Sequence, residues 1–130
     1  MRPAHIEPSE RKPAVFHRAA REALRAMPRH VREVFGQAID DAQCGDKPIN
    51  ASPLKGYRGA GVLEIAEDYE TDTYRAVYTV RFAGAVYVLH AFQKKSKRGV
   101  ETPREELTLV DQRLRWAEEH YQREFRGGRG

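Results

Sequence analysis

The chain has 130 residues, 40% of them hydrophobic, enough for one domain built around a single core. Its one cysteine, Cys44, excludes an internal disulfide, and no apolar run approaches the roughly 18 residues that cross a bilayer. The 23 Lys and Arg against 19 Asp and Glu leave a formal charge of +4 and a pI near 9.4, so the placement of charge matters more than its total.

With a mean hydropathy of -0.75 and no apolar core of a signal peptide in "MRPAHIEPSERKP", a soluble cytoplasmic protein without a membrane partner is expected. Residues 1–12 are polar and Pro-containing, and residues 122–130 end in a Gly- and Arg-rich tip, so both are expected to be disordered tails flanking a domain at 13–121. After Pro13, "AVFH" is a candidate edge strand. "RAAREALRAM" then places Ala20, Ala23, Leu24 and Met27 on one side of a helix, which Pro28 ends or follows with another. Val31, Val34, Phe35, Ala38, Ile39 and Ala42 repeat at helical spacing, and Gly45 stands where the C-terminal cap belongs.

"GDKPINASPLKGYRGAG" reads as loop by composition. "VLEIAE", "TYRAVYTVRF" and "AVYVLHAFQ" are dense in β-branched and aromatic residues and read as a three-stranded antiparallel meander. Beyond them, Thr102-Pro103-Arg104-Glu105 carries the signature of a capped helix start. The apolar line Leu107, Val110, Leu114, Ala117 and Tyr121 continues that helix.

A two-residue turn at Ala83-Gly84 fixes an expected register between the last two strands. One face then carries Tyr74, Ala76, Tyr78, Val80 and Phe82 with Ala85, Tyr87, Leu89, Ala91 and Gln93, a surface suited to packing on helices. The other carries Arg75, Val77, Thr79 and Arg81 with Val86, Val88, His90, Phe92 and Lys94. If Leu63 and Ile65 face the core, Glu64 joins Arg75. The cluster also fits plainer descriptions: a cross-strand ion pair, a structural histidine and a solvated basic loop, with Lys55 an ordinary exposed lysine. Asp40-Asp41 and the scattered histidines lack metal-ligand spacing, and no phosphate-binding glycine motif or nucleophile elbow is present, so neither metal nor cofactor is expected.

"PLKGYRGAGVLEI", "TYRAVYTVRFAGAVYVLHAFQKKSKRG" and "TPREEL", in this order and spacing, resemble the phage-derived, HigB-like branch of the RelE/ParE toxin superfamily. The resemblance runs from about Pro13 to Tyr121. It implies an α+β fold: a short antiparallel sheet with an N-terminal edge strand, packed by two N-terminal helices and a C-terminal helix. It implies a type II toxin that cleaves mRNA on the ribosome without metal. Its partners would be the ribosome, mRNA and a cognate antitoxin, expected to be a helix-turn-helix protein through which alone the toxin reaches operator DNA. Arg75 matches the family arginine that contacts the scissile phosphate, and Lys94 and Lys95 match basic residues after the last strand. Glu64 stands where HigB-like members commonly carry an acid and RelE itself a lysine. The position just beyond "VLEI", often basic in relatives, is Ala66 here, so the lysine-based proton transfer of RelE does not carry over.

Metal-free cleavage uses the substrate's 2′-hydroxyl as nucleophile. It needs a base there, and cations for the charge that builds on phosphorus. Arg75 offers a planar fork of donors, and Lys94 or Lys95 a point charge. His90 is preferred to Glu64 as base, because an unperturbed imidazole titrates near pH ~6.5. Lys55, Lys97 and Arg98 are assigned to RNA phosphates. Two other readings stand beside this one: a ParE-like gyrase poison, and a non-catalytic RNA-binding member of the same fold.

Overall fold

In a computed structural model of the chain, residues 11–57, 61–94 and 102–126 are described. After Pro13 the chain is extended as β1, Ala14–Phe16, and turns at once into the helix α1, Arg18–Arg25. His17 makes that turn: its backbone is extended, and its Nδ1 accepts from the amide of Ala19, satisfying a donor the helix start leaves open. Pro28 then opens α2, Arg29–Gln43, resolving the alternative at that residue. Gly45 follows with φ of 89°. The Gly45 and Asp46 amides bond back to the carbonyls of Ala42 and Asp41, so the glycine caps the helix as its spacing predicted.

The remaining elements are β2 (Ala51–Pro53), β3 (Val62–Tyr69), β4 (Asp72–Thr79), β5 (Val86–Lys94) and α3 (Arg104–Tyr121). The strands form one sheet in the order β1-β5-β4-β3-β2, with β1 parallel to β5 and the other pairs antiparallel. The expected α+β class, the three-stranded meander and the N-terminal edge strand are all present. One strand is additional. β2 lies in the segment that composition assigned to loop, and its Ser and Pro carry no strand propensity. It forms on the outer edge of β3, where Ser52 pairs with Glu64, and Pro53 is tolerated because an edge strand leaves one side of its backbone unpaired. Lys12 bonds through its amide to the Gln43 carbonyl, and a π-helical stretch, Gln122–Arg126, prolongs α3 with Phe125 stacked on Tyr121.

The expected register holds from Thr73–Lys94 to Val77–His90 and then shifts: Tyr78 pairs with Val88 and Thr79 with Tyr87. Leu89 is therefore an extra residue in β5, a β-bulge that inverts the alternation on its N-terminal side. Val86 and Val88 join Tyr74, Ala76, Tyr78 and Ala91 in a core closed by α1 and α2, around Val31, Phe35 and Ile39. Tyr87 and Leu89 join Val77 and Val62 in a second core closed by α3, through Val110, Leu114, Ala117 and Tyr121. The sheet is thus covered on both faces, not on one. The expected placing of Val86 and Val88 beside Arg75, and of Tyr87 and Leu89 opposite it, is corrected by that single inserted residue.

α3 is held to the sheet at its far end by hydrogen bonds as well as by burial. The Tyr121 hydroxyl donates to the Ala83 carbonyl at 2.7 Å, and the Tyr87 hydroxyl lies 2.7 Å from His120 Nδ1. Among the described residues no helix is long and apolar enough to cross a membrane.

Ile65 is fully buried beneath α2, whereas Val80, just past β4, is 39% exposed. Ile65→Ala should therefore lower unfolding stability by about 2–5 kcal/mol. Val80→Ala should change it by less than about 0.5 kcal/mol. Urea unfolding followed by circular dichroism measures both.

Candidate functional site

Alternation along β3 turns Leu63 and Ile65 toward α2 and Glu64 toward the opposite face. Arg75 of β4 points the same way, two positions diagonal from it, because Glu64 pairs with Val77. The diagonal is bridged: Arg75 Nη1 donates to Glu64 Oε2 at 2.9 Å. The same oxygen accepts from the Thr102 hydroxyl at 3.0 Å. Glu64, Arg75 and Thr102 are 6, 9 and 5% exposed, so the pair is a buried one. Lys94, buried as well, ends β5 opposite Thr73 on the same face as Arg75, whose cross-strand neighbour is Phe92. A carboxylate, a guanidinium and an ammonium thus share one end of the sheet.

Thr102 differs from its expected role. Its hydroxyl does not cap α3; Pro103 occupies the cap position without a side-chain cap bond, and the carbonyl of Pro103 accepts from the amides of Glu106 and Leu107. The hydroxyl crosses instead to Glu64, 38 positions earlier in the chain.

His90 lies in a separate network. Arg113 Nη1 is 2.8 Å from His90 Nδ1 and donates at 3.2 Å to the carbonyl of the bulge residue Leu89. A guanidinium only donates, so Nδ1 must accept, and the ring proton sits on Nε2 and is donated to Glu106 Oε1 at 2.6 Å. Both ring nitrogens are therefore engaged. The ring also stacks on Phe92 at 5.0 Å. Burial, reinforced by the charge of Arg113, holds the imidazole below its ordinary pKa, against the opposing pull of Glu106. The neutral form is the resting one.

Of the residues expected at the site, Glu64 and Arg75 are in direct contact, Lys94 shares their face, and His90 is tied to α3. Lys55 is exposed on the turn from Leu54 to Tyr57, which the Tyr57 hydroxyl fastens to Asp111 of α3 at 3.3 Å. Lys95, Lys97 and Arg98 lie outside the described residues. Glu106, Arg113 and the Thr102 bond were not anticipated. Glu106 and Arg113 stand seven positions apart, flanking Val110 on one side of α3, a spacing that marks polar residues facing the sheet. Among the described residues no group of three or more His, Cys, Asp or Glu side chains converges as a metal site would require.

The family model described as phage-derived protein Gp49-like (DUF891) matches residues 22–115. No curated protein sequence matches the chain. Among solved structures, one chain from the crystal structure of the RelBE2 toxin–antitoxin complex of Mycobacterium tuberculosis is similar. The alignment has 16% identity and a TM-score of 0.46, covering 70% of this chain and 100% of that one.

Because its folded pKa is depressed, His90 binds a proton more weakly in the folded chain than in the unfolded one. Its contribution to stability is present above about pH 6.5 and is lost as the pH falls through the lower folded value. His90→Gln keeps one donor and one acceptor on a group that does not titrate. The protein with His90 should lose stability relative to His90→Gln on acidification, by up to about 1.4 kcal/mol per unit of depression. His17, also depressed, by burial and then by the charges of Arg113 and His90, is replaced by Asn in both proteins so that it drops out of the difference. Urea midpoints across this pH range give the measurement.

Proposed function

We propose that this chain, which belongs to the phage-derived Gp49-like family, is the toxin of a type II toxin–antitoxin system and acts as a metal-independent, ribosome-dependent mRNA endoribonuclease. The observation that carries the chemical part is the buried Glu64–Arg75 pair, with Lys94 on the same end of the sheet. This set contains what transfer of the substrate's own 2′-hydroxyl requires: a carboxylate to take a proton and two cations for the phosphorane.

In the proposed step the 2′-oxygen bonds to phosphorus as its proton passes to the base, and the bond from phosphorus to the 5′-oxygen breaks. The 5′-oxygen takes a proton from solvent water, which the protonated base afterwards returns, and leaves as a hydroxyl, and the phosphorus remains as a 2′,3′-cyclic phosphate. The base role passes from His90 to Glu64, because the proton-accepting nitrogen of His90 is held by Arg113 and its other nitrogen already carries hydrogen. On Glu64 both donors among the described residues fall on Oε2, and Oε1 is the atom assigned to the 2′ proton. Arg75 holds nonbridging phosphate oxygens and Lys94 supplies a second positive charge. Lys55, with Lys95, Lys97 and Arg98 beyond the described residues, is assigned to RNA backbone, a salt-sensitive contribution. The cognate antitoxin, expected to be a helix-turn-helix protein, is the second partner.

Arg75→Lys keeps the charge that balances buried Glu64 but loses the planar fork, so it should leave the circular dichroism unchanged and abolish growth inhibition. Lys94→Ala should do the same. With purified ribosomes and mRNA, the wild-type protein should leave a 2′,3′-cyclic or 3′-phosphate on one fragment and a 5′-hydroxyl on the other. A substrate with 2′-hydrogen at the scissile nucleotide should resist cleavage. Cleavage of that substrate, or a 5′-phosphate product, removes the roles given to Glu64, Arg75 and Lys94. Intact mRNA with accumulating cleaved DNA identifies a gyrase poison instead, and harmless overexpression a non-catalytic RNA-binding protein.

A further inference from the structure

On the face of the sheet opposite the charged cluster, α1, α2 and β1 leave an open groove of about 240 Å³. Its floor is apolar, made by Phe16, Leu24, Phe35 and Ile39, and its rim carries Arg21, Arg25 and Arg32, all three exposed. Arg21 lies over the Phe16 ring at 5.0 Å. Among the described residues none of the three has an acidic partner at ion-pair distance, although Arg29 and Glu33, on the same helix as Arg32, pair with each other. The position of Arg25 in the last turn of α1 suits the helix dipole, but that does not account for Arg21 and Arg32.

Gly36 of α2 lines the groove. A glycine in the middle of a helix is unfavourable relative to alanine, and here nothing in the fold demands it: a methyl group at this position would meet no atom within 4 Å. No neighbour among the described residues needs the space. A partner that approaches the helix closely would.

We propose that this groove is the docking site for an acidic peptide segment of the antitoxin, seating one apolar side chain between α1 and α2 with carboxylates set against Arg21, Arg25 and Arg32. The inference rests on the toxin reading above and deepens it by naming the surface. The apolar floor favours a peptide over RNA, whose backbone would use the arginines and leave Phe35 and Ile39 without a role.

The test uses the full-length chain and, as probe, the purified product of the reading frame adjacent to its gene. Binding is measured by titration calorimetry at several salt concentrations. Gly36→Trp fills the groove, and Arg21→Gln/Arg25→Gln/Arg32→Gln removes the rim charge. Both sets alter exposed positions, and circular dichroism checks their fold. Gly36→Ala serves as a milder variant that should raise the melting temperature. Gly36→Trp should weaken binding at least ~10-fold, and the triple variant should weaken it and flatten its dependence on salt. Without the antitoxin, both should inhibit growth as wild type does.

Unchanged affinity in folded Gly36→Trp and in the triple variant overturns the groove and leaves the toxin–antitoxin reading standing. If the rim arginines prove necessary for growth inhibition itself, they serve RNA and the proposal falls. A probe that does not bind the wild-type chain at all overturns the proposal together with the antitoxin reading on which it rests.

Discussion

The extra residue in β5 decides which side chains reach the candidate site. β5 lies between β1 and β4, and from Val86 to Ala91 it is buried on both faces, so each side chain there is directed to one covered face or the other. Strict alternation that keeps Val86 and Val88 against α1 and α2 would drive His90 into the same apolar layer, where an imidazole has no polar partner. The bulge at Leu89 lets Val86 and Val88 stay in that layer while His90 turns toward α3. Beyond it the expected register stands, with Phe92 opposite Arg75 and Lys94 opposite Thr73. One side chain then secures the irregular backbone: Arg113 bonds to both the Leu89 carbonyl and His90 Nδ1. Removing it would leave two buried acceptors at once, each costing about 1–3 kcal/mol if unsatisfied.

The ion pair of Glu64 and Arg75 has a different physical meaning. A buried pair is weak evidence of stability, because desolvation of both charges offsets their attraction. Its geometry is informative for another reason. The two residues sit on adjacent strands at a diagonal, and the third member, Thr102, comes from the segment that enters α3. Packing of α3 and closure of the charged cluster are therefore coupled: α3 is fixed at Thr102, at Glu106 and Arg113, and at Tyr121. Groups held this way do not need to reorganise when charge develops nearby, which is the condition under which fixed donors act most strongly.

The parts of this arrangement that were legible in the sequence are those with a period. The 3.6-residue repeat of Val31, Phe35, Ala38, Ile39 and Ala42 marks α2, and alternation in "VLEIAE" puts Glu64 on the side of Arg75. The parts that escaped lack a local signature. No glycine or proline marks the bulge at Leu89; it follows from the need to fill two cores at once. β2 exists because the edge of β3 offers unpaired backbone, not because "ASP" favours a strand. Thr102-Pro103-Arg104-Glu105 has the composition of a capping box, yet the cap takes Pro103 and the threonine serves a residue distant in the chain. Glu106 and Arg113 escaped because their partners, His90 and the Leu89 carbonyl, are turned toward α3 by a bulge that the sequence does not announce.

On the proposed reading, the two faces of the sheet also separate two tasks. The charged cluster lies on the α3 face, while the arginine-rimmed groove lies on the face covered by α1 and α2, with the sheet itself between them. A segment seated in the groove therefore makes no contact with Glu64 or Arg75 and cannot inhibit by plugging the cluster. Such a partner must act by the bulk that continues from the docked segment, either around the β1 edge or against the ribosome. Affinity and inhibition then reside in different parts of the antitoxin. On this geometry, a peptide limited to the docked segment would bind the chain and leave its activity intact, whereas the full-length antitoxin would bind through the same groove and suppress it.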